Sequence, residues 1–171
     1  SKMPIYRHSR KKALREADGV ILAGVPVDFR LDYGRHINHK AAIVSINLSK
    51  KDLKRNKKPH KAILADPSRF LISLSQKYKG YEWKDWHRSL TDRDQERKNI
   101  ILNQSVVKTE FINPLKICTA IDQHTRKGDI IIADGGDFVA TASYIVRPRS
   151  IDGWLDPGVF GTLGVGAGFI L

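Results

Sequence analysis

The sequence predicts an α/β protein: a doubly wound domain around a parallel sheet, followed by a strand–helix segment of a second α/β domain. Three observations carry this. Short apolar runs alternate with helical patterns in two separate stretches, as the layers of parallel α/β proteins do. The same helix-starting device, a capping residue followed by proline, occurs at Asp66-Pro67 and at Asn113-Pro114. The hydrophobic share of 41% over 171 residues suits a globular chain of one domain, or one small domain and part of another.

In chain order, Lys11–Asp18 reads as the end of a helix and "GVILAG" (19–24) as a short strand stopped by glycine. "AAIVSINL" (41–48) is a second strand and "KAILAD" (61–66) a third. Asp66 then caps a helix with Pro67 at its first position, where the missing N–H costs nothing. Phe70, Leu71, Leu74 and Tyr78 give that helix an apolar stripe for burial. Residues 77–100 turn aromatic and then densely charged, which predicts a connector with a polar helix, pinned to a domain surface by Trp83 and Trp86. "INPLKICTAIDQHTRKGD" (112–129) predicts a helix capped by Asn113 and stopped at Gly128, with Leu115, Cys118 and Ile121 on one core-facing side. An apolar strand in "DIIIADGGDF" follows, running into Asp134-Gly135-Gly136. Domain limits are expected at 1–80, 81–111 and 112–171.

The net charge of +12 is unevenly spread. Residues 1–60 hold 15 Lys/Arg against 5 Asp/Glu, and residues 128–171 hold 2 against 5, which places a seam near Lys127–Gly128. The densest basic stretch, "KKDLKRNKKPHK" (50–61), has no aromatic interleaved for base stacking. It reads as a solvated face; a non-catalytic basic nucleic-acid-binding module stays as the alternative of another class. A single cysteine excludes an intrachain disulfide. His36 and His39 lack a nearby cysteine or carboxylate in the pattern and read as surface histidines, and no metal-ligand spacing is present. No apolar run reaches the roughly 18–20 residues that span a bilayer, and the first residues lack a signal-peptide core.

In open α/β sheets, ligands gather outside the carboxyl ends of the strands. A strand followed by "DGGD" places two glycines and two carboxylates at such an edge, although a tight turn explains it equally well. The last 18 residues, "WLDPGVFGTLGVGAGFIL", are dense in glycine, which weakens a fold unless backbone must come close to something.

Read together, "IIIADGGDFVATASYIVRPRSIDGWLDPGVFGTLGVGAGFIL" resembles the opening of the cofactor domain of thiamine-diphosphate-dependent enzymes, in the acetolactate synthase-like and 2-hydroxyacyl-CoA lyase branch. "EADGVILAGVPVDFRLDYGR", "AAIVSINL", "NKKPHKAILAD" and "INPLKI" resemble successive landmarks of that family's central domain and the link out of it. The resemblance implies most of a central domain plus the beginning of the diphosphate-binding domain. The activating glutamate and the Gly-Asp-Gly metal motif would lie elsewhere, so this chain by itself is expected to carry no catalytic residue and no magnesium ligand.

The resemblance also implies a cofactor-binding set. Gly135, Gly136, Asp137 and Phe138 match the strand-end loop that meets the diphosphate; acetolactate synthases proper carry Gln-His where this chain has Asp137-Phe138. Gly161, Thr162 and Leu163 match the turn against the aminopyrimidine, with Leu163 as the bulky side chain under the bent cofactor. Asp28 and Arg30 match a nucleotide loop that in relatives holds FAD or an ADP-containing ligand; Asn47 departs from the aspartate of the flavin-binding relatives. The expected cofactors are thiamine diphosphate and Mg, with FAD or an ADP-containing ligand as a further option. The expected reaction of the whole enzyme is cleavage of a 2-hydroxyacyl-CoA to formyl-CoA and an aldehyde, with acetolactate synthesis as the alternative. A homodimer or homotetramer, an acyl-CoA or other small-molecule substrate, and no nucleic-acid partner are implied. So is an endoplasmic-reticulum membrane location, with mitochondrion, peroxisome or cytoplasm as alternatives.

Overall fold

The computed structural model describes Tyr6, residues 8–78, Gly80, residues 82–150 and residues 152–170. Residues 1–5, Arg7, Lys79 and Tyr81 of the aromatic segment, Ile151, and Leu171 at the end of the glycine-rich run lie outside the described residues. The chain divides into two units, Ser1–Asp92 and Arg93–Leu171.

The first unit is built on a parallel sheet. Strands β1 (Gly19–Ala23), β2 (Ala42–Asn47) and β3 (Lys61–Leu64) lie side by side in that order. Val20 pairs with Ile43 and Ile46 with Ile63. As the middle strand, β2 is covered most completely: Ile43 is 2% exposed and Ile46 0%. Val20, Leu22, Val27, Leu31, Ile37, Ala41 and Ile43 form one cluster, with Leu14 and Ala17 packed on it. Leu14 comes from helix α1 (Arg10–Glu16). The connections between strands carry 3-10 turns, at Phe29–Gly34 and Asp52–Lys54, rather than long crossover helices.

Helix α2 (Pro67–Lys77) starts as the sequence predicts, with the Asp66 carboxylate accepting from the N–H of Ser68 and Arg69 at 2.8 and 3.0 Å. Its apolar stripe is not buried, a correction to the expectation. Leu71, Leu74 and Tyr78 are each about two-fifths exposed because a three-stranded sheet offers little area to cover an 11-residue helix. Trp83 stacks on Tyr78 with ring centroids 5.9 Å apart, and it too remains half exposed. Helix α3 (Lys84–Ser105) follows, and the division between the units falls within it.

In the second unit, Asn113 caps helix α4 (Pro114–His124), its side chain accepting from Leu115 N–H at 3.0 Å and donating to the carbonyl of Gln104 at 2.9 Å. The helix stops at His124, earlier than predicted; Gly128, at φ 98°, belongs to the turn that leads into β4. β4 (Ile131–Ile132) and β5 (Trp154–Leu155) are short parallel strands, and helix α5 (Asp137–Ile145) lies between them in sequence. Cys118 of α4 packs fully buried against Ala142 and Val146. Burial pushes its thiol pKa up, so Cys118 is a packing residue, as its position in the pattern predicts. Helix α6 (Gly166–Ile170) follows the glycine-rich turn, and its Phe169 and Ile170 are exposed.

One carboxylate ties α4 to the segment after α5. Asp122 accepts from Arg147 N–H at 2.8 Å, from Arg147 Nη2 at 3.1 Å and from Arg149 Nη1 at 3.1 Å. Partial burial works to raise its pKa, but these bonds outweigh burial and hold it below the ordinary aspartate value. A carboxylate with a lower pKa folded than unfolded stabilises the fold above about pH 4, and that contribution is lost as pH falls through the depressed value. Asp122→Asn is therefore expected to be less stable than the parent at neutral pH, with the difference shrinking on acidification, read by denaturant unfolding across pH 2–7. In the first unit, Ile46→Ala is expected to cost about 2–5 kcal/mol, measured in the same way at pH 7.

Candidate functional site

Parallel pairing of β4 with β5 sends both chains out at the same edge. Ala133 N–H donates to Leu155 O at 2.9 Å at this end of the ladder. From β4 the chain turns through Asp134-Gly135-Gly136 into α5. From β5 it passes through Asp156, which accepts from Trp154 Nε1 and Gly158 N–H, each at 2.6 Å, and then through a 3-10 turn at Gly158–Phe160. The two segments that sequence reasoning singled out, 135–138 and 161–163, thus face each other although some 25 residues separate them in the chain.

Their contact is made by backbone. A Cβ on Gly135 would stand 2.8 Å from Leu163 Cδ2, 2.8 Å from the Thr162 carbonyl oxygen and 3.0 Å from that of Gly161. No side chain fits there without moving main chain, so the glycine is a steric requirement rather than a flexible link. A Cβ on Gly136 would meet Leu163 Cδ2 at 3.5 Å, and the φ of 97° at Gly136 bends the chain into α5. Gly161, at φ 59°, reverses the opposing turn. Leu163 leans on Gly135 with its Cδ2 while 69% of the residue stays exposed; Phe138, in the first turn of α5, is 48% exposed. The site is a wall with apolar side chains on an open face.

Asp134 fastens this arrangement. Its Oδ1 accepts from the N–H groups of Gly135 at 2.7 Å, Gly164 at 2.9 Å and Val165 at 3.3 Å. The Gly135 N–H foremost, with the amides of Gly164, Gly166 and Val165, holds its carboxyl below the ordinary aspartate value. Residue spacing carries no sign of this role, because a carboxylate before two glycines reads as an ordinary turn and its distant partners lie 30 and 31 residues on. Gly135 N–H, expected to face a phosphate, is directed at Asp134. Asp137 occupies the first turn of α5, where its negative charge complements the helix dipole.

In the first unit Asp28 and Arg30 are brought together, but toward each other. Asp28 caps the 3-10 turn, accepting from Arg30 N–H at 3.0 Å, and grips the Arg30 guanidinium through Nε at 3.0 and 3.1 Å and Nη2 at 2.6 Å. This pairing with Arg30 lowers the Asp28 pKa and raises that of Arg30. The basic stretch 50–61 is partly structural: Arg55 pairs with Asp52 at 2.8 Å, Asn56 donates to Val27 O at 2.7 Å, and His60 Nδ1 accepts from Ile43 N–H at 3.0 Å. His36 does have a carboxylate neighbour, Asp32 Oδ2 at 3.4 Å, which the spacing argument overlooked. Among the described residues, no cluster of three or more His, Cys, Asp or Glu could hold a metal ion, and no helix is long and apolar enough to cross a membrane.

No family model matches the chain. It is 44% identical to 2-hydroxyacyl-CoA lyase 2 of Danio rerio over 96% of its own length and 28% of that protein. Against 2-hydroxyacyl-CoA lyase 2 of Homo sapiens the identity is 36%, over 96% of the chain and 27% of the relative. Acetolactate synthase large subunit IlvG of Mycobacterium tuberculosis is 24% identical over 97% of the chain and 30% of that protein. The chain spans between a quarter and a third of the length of these curated relatives. The chain is thus similar to one segment of 2-hydroxyacyl-CoA lyase 2 and, more distantly, to one segment of acetolactate synthase.

Proposed function

We propose that this chain supplies one wall of a thiamine-diphosphate site in a longer lyase that cleaves a 2-hydroxyacyl-CoA to formyl-CoA and an aldehyde. The observation that supports it most is the seating of Leu163 against Gly135 at the shared carboxyl edge of β4 and β5. The names of six relatives at 36–44% identity give the reaction class, and Asp137-Phe138 in place of Gln-His favours the lyase over acetolactate synthesis. The domain limits at 1–80, 81–111 and 112–171, the doubly wound sheet, a homodimer or homotetramer and an endoplasmic-reticulum location belong to the same proposal.

The residues present fit the cofactor in shape. The lack of a Cβ at Gly135 lets the 161–163 turn seat closely, Gly161 faces open space, and Leu163 presents a branched apolar surface to the open side. When bound, thiamine diphosphate stabilises the carbanion left by carbon–carbon cleavage. In this reading Leu163 would support the bound cofactor, the Gly161 carbonyl would accept from its aminopyrimidine, and the Thr162–Leu163 backbone would line the ring. The N-terminus of α5 at Gly136–Phe138 would face the diphosphate, with magnesium ligands supplied from outside this chain. Asp28 and Arg30 belong to a nucleotide loop in the same reading, for FAD or an ADP-containing ligand.

The test is product analysis of the full-length protein given a 2-hydroxyacyl-CoA, thiamine diphosphate and Mg²⁺. Formyl-CoA is expected; acetolactate formed from pyruvate without formyl-CoA would overturn the choice of reaction. In the same protein Leu163→Gly is expected to lower turnover by about tenfold to a hundredfold, and an unchanged rate would remove Leu163 from the site. Gly135→Ala is expected to displace the 161–163 turn, seen as changed amide shifts of Gly161–Leu163 in the 171-residue chain and as weaker cofactor binding in the full-length protein. Gly161→Ala would meet nothing within 4 Å, so it is expected to strain the left-handed turn at φ 59° without a clash against residue 135.

A further inference from the structure

Asp134 lies outside the set of residues assigned to the cofactor, yet it joins the two segments that form the site. Its Oδ1 gathers the Gly135, Gly164 and Val165 amides at 2.7, 2.9 and 3.3 Å. Gly164 and Val165 directly follow Leu163, so the bonds fix the residue whose side chain leans on Gly135. Gly166 comes so near that a Cβ there would stand 3.3 Å from Asp134 Oδ2. The donors are all backbone amides, so the Asp134 side chain is the one movable part of the clasp. Asp134 itself is exposed, so the clasp sits on the open side of the wall rather than in the core.

We propose that Asp134 is a positioning residue, whose carboxylate clamps the Gly161–Gly166 segment onto the Asp134–Gly136 turn and so sets where Leu163 stands. The proposal rests on the reading of Leu163 as a cofactor support. A charged acceptor suits the task because bonds from N–H groups to a carboxylate are stronger than those to a neutral oxygen. It also answers a difficulty of the site: three glycines at 161, 164 and 166 leave the segment little stiffness of its own, and an exposed leucine on a loose segment would not hold a bent ligand. The carboxylate supplies the order that the glycines lack. The role is mechanical; no bond to substrate or proton transfer is assigned to Asp134.

The experiment has two readouts. In the 171-residue chain, amide hydrogen exchange at Gly164 and Val165 is compared among wild type, Asp134→Asn and Asp134→Ala, with the Gly24 and Ala65 amides, bonded to Ile46 O and Asn47 O, as internal references. Asp134→Ala is expected to speed exchange at Gly164 and Val165 by about tenfold or more, with the references unchanged and Asp134→Asn between the two, because asparagine keeps an acceptor. In the full-length protein, calorimetric affinity for thiamine diphosphate with Mg²⁺ is expected to fall in the same order. Wild-type exchange in Asp134→Ala would overturn the clasp. Lost affinity with unaltered exchange would also overturn it, pointing to direct contact of Asp134 with the ligand. If Asp134→Ala fails to fold, Asp134→Asn decides between these outcomes. A wild-type protein with no affinity for thiamine diphosphate would remove the cofactor reading and with it the positioning role, while the exchange data would still decide whether the clasp exists.

Discussion

Parallel strand pairing is the constraint from which the rest of this chain follows. Two parallel neighbours must deliver their outgoing chains to the same edge of the sheet, and the loops there compete for the same space. In the second unit β4 and β5 are only two residues each, so little ladder remains to spread the exits apart. The turn after β4 and the segment after β5 are forced together, and main chain meets main chain. That crowding is why residue 135 has no side chain, and it brings Asp134 within reach of amides 30 residues away. The first unit resolves the same crowding differently. There Gly24 ends β1 by donating to Ile46 O at 2.8 Å, and Asp66 ends the third strand by capping α2.

Elements whose signals are local were legible. A capping side chain followed by proline specifies a helix start through its own neighbours, and both Asp66-Pro67 and Asn113-Pro114 fold as such. The three strands of the first unit stand within one or two residues of the apolar runs that announced them. Helix ends were less legible. Gly128 is the residue that pattern reading takes as a stop, but α4 ends at His124, where Thr125 turns extended and returns its hydroxyl to the Ile121 carbonyl at 2.7 Å. The α2 stripe misled for another reason: periodicity reports which side of a helix is apolar, not how much surface is there to cover it.

Of the candidate site, resemblance singled out the glycines and Leu163 that meet across the two turns, because short motifs in register carry more information than any glycine count. Their fastening was not. The bonds of Asp134 to Gly164 and Val165, and of Asp122 to Arg147 and Arg149, are made by three-dimensional proximity. Nothing in the spacing of Asp122 and Arg149 distinguishes them from other charged residues of a chain that is 28% charged. Their common feature is a short acidic side chain that collects backbone amides or guanidinium groups where the chain leaves regular structure.

The two segments singled out for ligands differ in what a ligand would have to displace. At Arg30 the guanidinium is already held by Asp28 through two of its nitrogens, with 42% of the side chain exposed and its carboxylate partner only 15% exposed. A phosphate arriving there must compete with a carboxylate in bidentate geometry, the arrangement that arginine forms most strongly, or share what remains of the fork. At the glycine wall a ligand would displace no such pair: Leu163 and Phe138 present their exposed apolar surface, and the Asp134 bonds stabilise the shape that receives it. Binding that begins from an ordered surface loses less freedom than binding that must first break an internal ion pair. On that physical ground the glycine wall of the second unit asks less of an arriving ligand than the Arg30 loop of the first.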